Sequence, residues 1–244
     1  MKLQDSLEKQ GEVLFRNRGF IPILFILFSV PVSYFNSFDC LIDNKAVEYT
    51  ILFSSIGFIV LGHLIRAQVI LSRQDATSGR NRNEQVADSL NTKGWYSIVR
   101  NPLYVANFLI WFGLSIYLFS FWLSLILVLA FWMYYERIVF AEEAFLSRKF
   151  GEAYTKWCNE TPVFIPKVKG YIPIKYKFSL SKVIFNEYSS MLSTGTCFLF
   201  VALLREYSIH RNIHFGELTW VYVITLTSFG LAVKGIKVLR KSKS

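Results

Sequence analysis

The feature that most constrains this fold is a block of 33 residues, Leu103 to Tyr135, without a single charged side chain. As one straight α-helix it would be about 50 Å long at 1.5 Å per residue. That length exceeds a hydrocarbon core of about 30 Å, even for a tilted helix. We therefore predict a helical hairpin that turns near Ser120, with a first arm over about 103–118 and a second arm from 121 past Glu136.

Four further uncharged blocks run from Gly19 to Phe38, Tyr49 to Ile65, Tyr188 to Leu204 and Leu218 to Val233. Only 18% of the 244 residues are charged, whereas soluble domains carry about 25%. The sequence predicts an all-α, polytopic membrane protein that forms a single membrane domain over 1–244. Six spans are expected, at about 19–38, 47–71, 103–118, 121–141, 188–205 and 218–239.

The basic residues indicate the orientation of these spans. With six spans, 23 of the 27 Lys and Arg residues fall on one side of the membrane, which the positive-inside rule identifies as the cytoplasm. Both termini are then cytoplasmic, and we expect a bacterial inner membrane. The net charge of +10 reflects this topology and attraction to anionic lipid headgroups, so a nucleic-acid partner is not expected.

Two polar segments, 72–101 and 142–173, face the cytoplasm in this topology. A hairpin leaves the membrane on the side where it entered, so the Arg100-Asn101-Pro102 segment and the Glu142-Glu143 pair reach the same depth. These residues, 40 apart in sequence, are predicted to be neighbours in a cytoplasmic cofactor site.

Two motifs around this hairpin carry a resemblance to a known family. VRNPLYVANFLIWFG (99–113) resembles the V-R-H-P-x-Y-x-G motif of the isoprenylcysteine carboxyl methyltransferases and phospholipid methyltransferases. EEAFLSRKFGEAYTKWCNETPVFIP (142–166) is similar to their second motif, and LGHLIRAQVILS (61–72) to an upstream segment. The resemblance implies a methyltransferase core over 57–166 and two additional C-terminal helices over 188–239. Asn101 replaces the family histidine, and Ala106 replaces a family glycine beside the expected cofactor.

The resemblance implies an S-adenosylmethionine-dependent enzyme, and it implies which residues bind the cofactor. These are Gly94, Tyr96, Arg100, Asn101, Pro102, Tyr104, Glu142 and Glu143. The chemistry agrees, because the carboxylates suit the ammonium and ribose hydroxyls of the cofactor and Arg100 suits its carboxylate.

The acceptor is expected to be a lipid or lipid-linked headgroup with an anionic oxygen. Arg80 and Arg82 are predicted to hold this headgroup, because arginine forks favour phosphate and carboxylate, with Lys167 and Lys169 nearby. The stretch around Arg80 also resembles the lipid A phosphate methyltransferase branch of the family.

Three alternatives remain open from the sequence. They are a phospholipid (ethanolamine) N-methyltransferase, a membrane reductase of related fold, and a non-catalytic lipid-binding or scaffold protein in which Asn101 and Ala106 mark lost catalysis. Arg66, inside the second span, is expected to snorkel to the interface, and Asn107 to act in helix packing. His210 and His214 have the spacing of metal ligands but lack an evident third ligand, so no metal is predicted.

Overall fold

The computed structural model describes residues 2–19, 21–35, 44–72, 87–213 and 215–241. These residues form helices and connecting segments, and they contain no strand. The helices are α1 (Leu3–Arg16), α2 (Ile21–Phe35), α3 (Lys45–Ser72), α4 (Pro102–Tyr117), α5 (Phe121–Phe150), α6 (Glu152–Glu160), α7 (Leu180–His210) and α8 (Glu217–Lys241), with a 3₁₀ turn at Gly94–Ser97. The predicted all-α fold is confirmed.

Each of the six predicted spans falls on a helix over the residues that the structure describes. Among the described residues, α3, α5, α7 and α8 are long and apolar enough to cross a membrane. The 16-residue α4 is apolar but shorter, and α2 is an apolar helix of 15 residues. The chain is therefore a polytopic membrane protein, while the exact number of spans and their orientation stay predictions.

The hairpin turns where the sequence predicts it. Helix α4 ends at Tyr117, and α5 begins at Phe121 after Ser120, whose hydroxyl accepts a hydrogen bond from the Leu123 amide at 3.4 Å. This is an N-cap, which satisfies an amide that has no partner inside the helix. Phe119 completes the turn with a positive φ of 51°, so the turn forms without glycine or proline.

Helices α3 and α4 make the most extensive contact of the fold. Gly62 and Gly113 let the two backbones approach: a Cβ on Gly62 would lie 2.6 Å from the Ala106 carbonyl oxygen, and one on Gly113 would lie 2.8 Å from that of Ser55. The buried Ser55 hydroxyl donates to the Gly113 carbonyl at 2.7 Å. Small residues at crossing points are the usual means of helix association in lipid.

Helix α1 was not predicted, because its charged residues read as a cytoplasmic tail. It is amphipathic, and it packs along the C-terminal part of α5. Phe15 is buried with Phe131, Tyr134 and Ile138, and Gly11 lies against the backbone of Arg137. The N-terminal segment therefore covers the end of the hairpin at which the predicted cofactor residues lie.

Candidate cofactor and acceptor site

One end of the site is formed by two polar segments, 94–100 and 157–172, which are hydrogen-bonded to each other. We call these two segments the platform. The Arg100 amide donates to the Pro162 carbonyl at 2.8 Å, the Lys167 amide to Ile98 at 2.9 Å, and the Gly94 amide to Ile172 at 2.8 Å. The indole of Trp157 on α6 donates to the Tyr96 carbonyl at 3.0 Å. Segments that are about 60 residues apart in sequence are thus fixed side by side at the mouth of the hairpin.

A cavity of about 850 Å³ opens beside this platform and runs along α4. It is lined at one end by Tyr96, Arg100 and Glu142, and at the other by Leu114 and Cys197. The α4 residues that line it run from Pro102 to Leu114, a distance of about 18 Å along a helix. The cavity therefore connects the predicted cofactor residues with the depth of the membrane-spanning helices.

A small apolar cavity of about 40 Å³ shares Ile26, Trp111 and Leu114 with the large one. It continues to Leu118 and Leu123 at the hairpin turn. Together the two spaces offer a polar end and an apolar end, which is the shape that a lipid with a polar headgroup requires.

Six of the eight predicted cofactor residues line the large cavity. They are Tyr96, Arg100, Asn101, Pro102, Tyr104 and Glu142. Gly94 and Glu143 are not among its lining residues. Gly94 is buried, has a φ of 62°, and begins the 3₁₀ turn that carries Tyr96. It therefore determines the backbone path of this turn without lining the cavity.

Glu143 holds Arg100. Its carboxylate lies 2.9 Å from Arg100 Nη1, and Arg100 also contacts the Cys158 thiol and the Tyr154 hydroxyl. Burial, together with the nearby Glu143 and Cys158, raises the pKa of Tyr154 above its ordinary value, so the phenol stays neutral. Arg100 is therefore a positioned cation at the platform end of the cavity.

Glu142 is the carboxylate that faces the cavity. It accepts a hydrogen bond from the Tyr104 hydroxyl, and the guanidinium of Arg18 lies close enough to act on its charge. Arg18 follows α1 and lines the same cavity. The sequence prediction missed this contribution, and only the amphipathic pattern of α1 offers a signal for it.

The two departures from the family motif have different structural settings. Asn101 precedes α4, lines the cavity and donates to the Val163 carbonyl at 3.3 Å. Ala106 is fully buried against Ile65 and Val69 of α3 and does not line the cavity. The Ala106 methyl group therefore faces α3 and does not narrow the described cavity.

Arg66 does not snorkel, contrary to the prediction. Its Nε and Nη2 atoms donate to the Glu187 carboxylate of α7 at 2.5 and 3.0 Å, and its Nη1 donates to Asn107 Oδ1 at 2.6 Å. Asn107 Nδ2 in turn donates to the Tyr135 hydroxyl at 3.0 Å. The packing role predicted for Asn107 is confirmed, and this network joins α3, α4, α5 and α7.

The predicted acceptor cations are not part of the cavity that the structure describes. Arg80 and Arg82 lie outside the described residues, and so does His214. Lys167 and Lys169 are exposed and are not cavity-lining residues, although the Lys167 backbone is part of the platform. The cations that do line the cavity are Arg18, Arg66, Arg100 and Lys237.

The cavity fits S-adenosylmethionine in size and in chemistry. Pockets for ligands of this size measure about 300–1,000 Å³. Glu142, Arg18 and Arg100 line the cavity near the platform, and the buried Nε of Arg100 has no hydrogen-bond partner in the described part of the chain. Such an orphaned donor suits a ligand oxygen.

Comparison with known proteins identifies this arrangement. Residues 51–153 match the family model described as phospholipid methyltransferase. The match covers less than half of the chain and is a similarity to that family over this segment, called the family segment below. The family segment comprises most of α3, all of α4 and α5, and the start of α6. It contains Gly94, Arg100 and Glu142, whereas the other half of the platform, from Trp157 to Ile172, lies beyond it. The resemblance to the lipid A branch stays a prediction.

Curated relatives are similar to less than half of the chain. The protein-S-isoprenylcysteine O-methyltransferase of Schizosaccharomyces pombe is 29% identical over 116 residues, which is 47% of this chain and 49% of the relative. The enzyme of the same name from Tribolium castaneum is 32% identical over 126 residues, covering 48% and 43%. The nickel-cobalt-cadmium resistance protein NccN of Alcaligenes xylosoxydans xylosoxydans is 40% identical over 91 residues, covering 37% and 40%. The chain thus spans less than half the length of these relatives, and no solved structure gives a significant match.

Proposed function

We propose that this protein is an S-adenosylmethionine-dependent methyltransferase that modifies an anionic oxygen, carboxylate or phosphate, on the headgroup of a lipid or lipid-linked substrate. One observation carries the proposal: a single cavity joins Glu142 and Arg100 at the cytoplasmic platform to the membrane-depth residues of α4 and α7. The names of two relatives, which are isoprenylcysteine O-methyltransferases, favour a lipid-linked carboxylate.

The residues present suit the recognition of the cofactor. Glu142 would hold its ammonium group or ribose hydroxyls, and Arg100 would hold its carboxylate through a charge-assisted hydrogen bond. The remaining lining groups, among them Tyr96, Asn101 and Tyr104, would orient it. When bound, the cofactor supplies an electrophilic methyl group on a sulfonium.

The protein's part in such a transfer is to position the acceptor and to exclude water, because an anionic oxygen is already a nucleophile. An amine acceptor would first have to lose a proton to a base. Glu143 is paired with Arg100, and Glu142 accepts from Tyr104, so both carboxylates at this end of the cavity are engaged. This favours O-methylation over ethanolamine N-methylation.

The site is expected to face the cytoplasm, where the cofactor is available, while the lipid enters sideways between helices. The core over 57–166 would carry the chemistry, and the segment 188–239 would complete the acceptor side. The distribution of basic residues supports this orientation.

Calorimetric titration of S-adenosylmethionine into the detergent-purified protein tests the cofactor part. We expect micromolar binding that Glu142→Gln and Arg100→Ala each weaken by roughly tenfold to a hundredfold. Glu152→Gln, an exposed carboxylate on α6, is the matched control and leaves binding unchanged. Absence of binding by the intact protein would favour a scaffold role, and binding of NADPH instead would favour the reductase.

Transfer of a labelled methyl group into membrane lipid extracts tests the acceptor part. A carboxyl methyl ester releases labelled methanol in mild alkali, whereas an N-methyl group does not. Label that survives alkali in a phosphate methyl ester would assign the phosphate acceptor, and label found only in N-methylated headgroups would overturn the O-methyl assignment.

A further inference from the structure

The part of the cavity that lies among the long apolar helices is lined by Arg66, whose guanidinium is bound by a more deeply buried carboxylate, Glu187. The side chain of Arg66 is 17% exposed and lines the cavity, whereas that of its partner Glu187 is 4% exposed and does not. Glu187 therefore lies on the protein side of the guanidinium, and the opposite edge of Arg66 faces the cavity.

The Arg66–Glu187 ion pair lies among membrane helices, where burying charged groups costs a large desolvation free energy. Asn107, which binds Arg66, is five residues into α4, about 8 Å along the helix axis from Pro102. Ionisable groups at such positions are rare in membrane helices, and they usually mark a substrate or ion pathway. A helix-packing role alone could be met by apolar side chains at a lower desolvation cost.

Arg66 and Tyr135 have hydrogen-bond donors that can still bind a ligand in the cavity. Nη1 and Nη2 of Arg66 each make one described hydrogen bond, and each carries a second N–H. The Tyr135 hydroxyl accepts from Asn107, so its own hydrogen can be donated. Arg66, Asn107 and Tyr135 all line the cavity, as do Ser193 and Thr194 of α7. The Thr194 hydroxyl lies 3.2 Å from His63 Nε2.

We propose that Arg66, with Tyr135, binds the anionic oxygen of the acceptor headgroup at this depth, and that Glu187 of α7 is the positioning residue that fixes the guanidinium. The inference rests on the proposed function and assigns the acceptor end of the same cavity. It replaces Arg80 and Arg82 as the predicted headgroup ligands with residues whose geometry is described.

Glu187 lies on a helix outside the family segment, so residues beyond that segment help to determine which acceptor binds. Arg66, Asn107 and Tyr135 lie within the family segment 51–153, whereas Glu187 lies beyond it on α7. A helix outside that segment thus sets the orientation of an arginine inside it. The two C-terminal helices are therefore part of the acceptor site as well as of its lipid-facing wall.

Equilibrium binding without cofactor tests the proposal independently of methyl transfer. The probes are a short S-prenylated cysteine, which carries one carboxylate on a lipid chain, its neutral carboxamide, and phosphatidic acid. We expect the intact protein to bind the carboxylate roughly tenfold or more tightly than the carboxamide. Arg66→Gln abolishes this preference and leaves the affinity for S-adenosylmethionine unchanged.

Removal of Arg66 alone leaves Glu187 buried without a partner, so a second variant keeps the test decisive. Arg66→Gln combined with Glu187→Gln removes both charges together, and we expect this variant to fold and to lack the carboxylate preference. Arg205→Gln is the matched control: Arg205 is buried on α7 beside Tyr117 and does not line the cavity, so its loss leaves the preference intact.

Each outcome decides the proposal. Tight binding of phosphatidic acid instead of the carboxylate, lost with Arg66, supports the site and assigns the phosphate. A preference for the anion that survives in the double variant, or no preference in the intact protein, overturns it. Failure of S-adenosylmethionine binding in the intact protein would overturn the proposed function but would leave this binding result standing.

Discussion

At the scale of single residues, burial decides which ion pairs stabilise the fold. The Arg66–Glu187 pair is almost fully enclosed, whereas Glu8 and Arg148, 2.7 Å apart, form a pair whose arginine is 62% exposed. The Arg66–Glu187 pair is also bidentate, whereas the Glu8–Arg148 pair is joined by one close contact, so the two pairs differ in both geometry and surroundings.

We predict that Glu187→Ala lowers the free energy of unfolding by about 3–5 kcal/mol, because it leaves the Arg66 cation buried and unpaired. Glu8→Ala lowers it by at most about 1 kcal/mol, because that pair is screened by water. Denaturant or thermal unfolding in detergent measures both. Equal effects would contradict the assignment of Glu187 to a buried network.

Asn101 and Ala106 are neighbours in the motif but differ in what they contact. We predict that Asn101→Ala raises the Kd for S-adenosylmethionine by roughly tenfold, since Asn101 lines the cavity. Ala106→Gly lowers the free energy of unfolding by about 1 kcal/mol through helix propensity and leaves that Kd unchanged. Calorimetry and thermal unfolding of both variants check this, and a change of cofactor affinity in Ala106→Gly would contradict the packing described for α3 and α4.

At the scale of elements, the close approach of α3 and α4 holds the site in register. The residues of α4 that line the cavity lie on one face of the helix, and Ala106 and Gly113 lie on the face that contacts α3. A shift of α4 relative to α3 would therefore move Tyr104 and Asn107 together.

We predict that Gly62→Ala lowers the free energy of unfolding by about 1–3 kcal/mol, because its Cβ would lie too close to the Ala106 carbonyl and the helices would have to separate. Gly57→Ala on the same helix meets nothing within 4 Å, so it is neutral or stabilises the helix by up to about 1 kcal/mol. Thermal unfolding of the two variants is the measurement, and matching melting temperatures would rule out a close α3–α4 crossing at Gly62.

Helix α1 depends on a similar contact with α5. Gly11→Val would force α1 away from the Arg137 backbone, so we predict faster tryptic cleavage after Lys9 and Arg16 and weaker cofactor binding, since Arg18 would move with the helix. Gln10→Val places the same side chain at an exposed position and leaves the cleavage rate unchanged. Unaltered proteolysis of Gly11→Val would show that α1 does not need this contact.

At the scale of the whole molecule, the C-terminal helix presents a largely apolar outer surface. Helix α8 exposes large apolar side chains such as Trp220, Val221 and Leu231 along most of its length, which suits contact with acyl chains. Arg66, Asn107, Tyr135 and Glu187 instead form their network in the interior of the bundle.

The predicted topology can be tested on the intact chain. We expect a green fluorescent protein fused after Ser244 to fluoresce in the cytoplasm, and an alkaline phosphatase inserted after Asn212 to be active on the opposite side of the membrane. Activity of both reporters on the same side would contradict six spans.

Hydropathy and spacing determined much of this protein without a structure. An uncharged block longer than one membrane crossing has to fold back, so the hairpin near Ser120 and the neighbourhood of Arg100 and Glu143 followed from length alone. The family motifs likewise lie in continuous segments, because residues close in sequence share a local environment.

Only the tertiary structure decided how the helices are rotated and paired. Arg66 and Glu187 are 121 residues apart in sequence, and nothing in their local patterns indicates that they meet. Whether Ala106 faces α3 or the cavity depends on the rotation of α4 about its own axis. A uniformly apolar sequence does not indicate this rotation. Helix α1 was missed for the converse reason: its few apolar residues stabilise it only by packing against α5, since the membrane does not require so polar a segment to be helical.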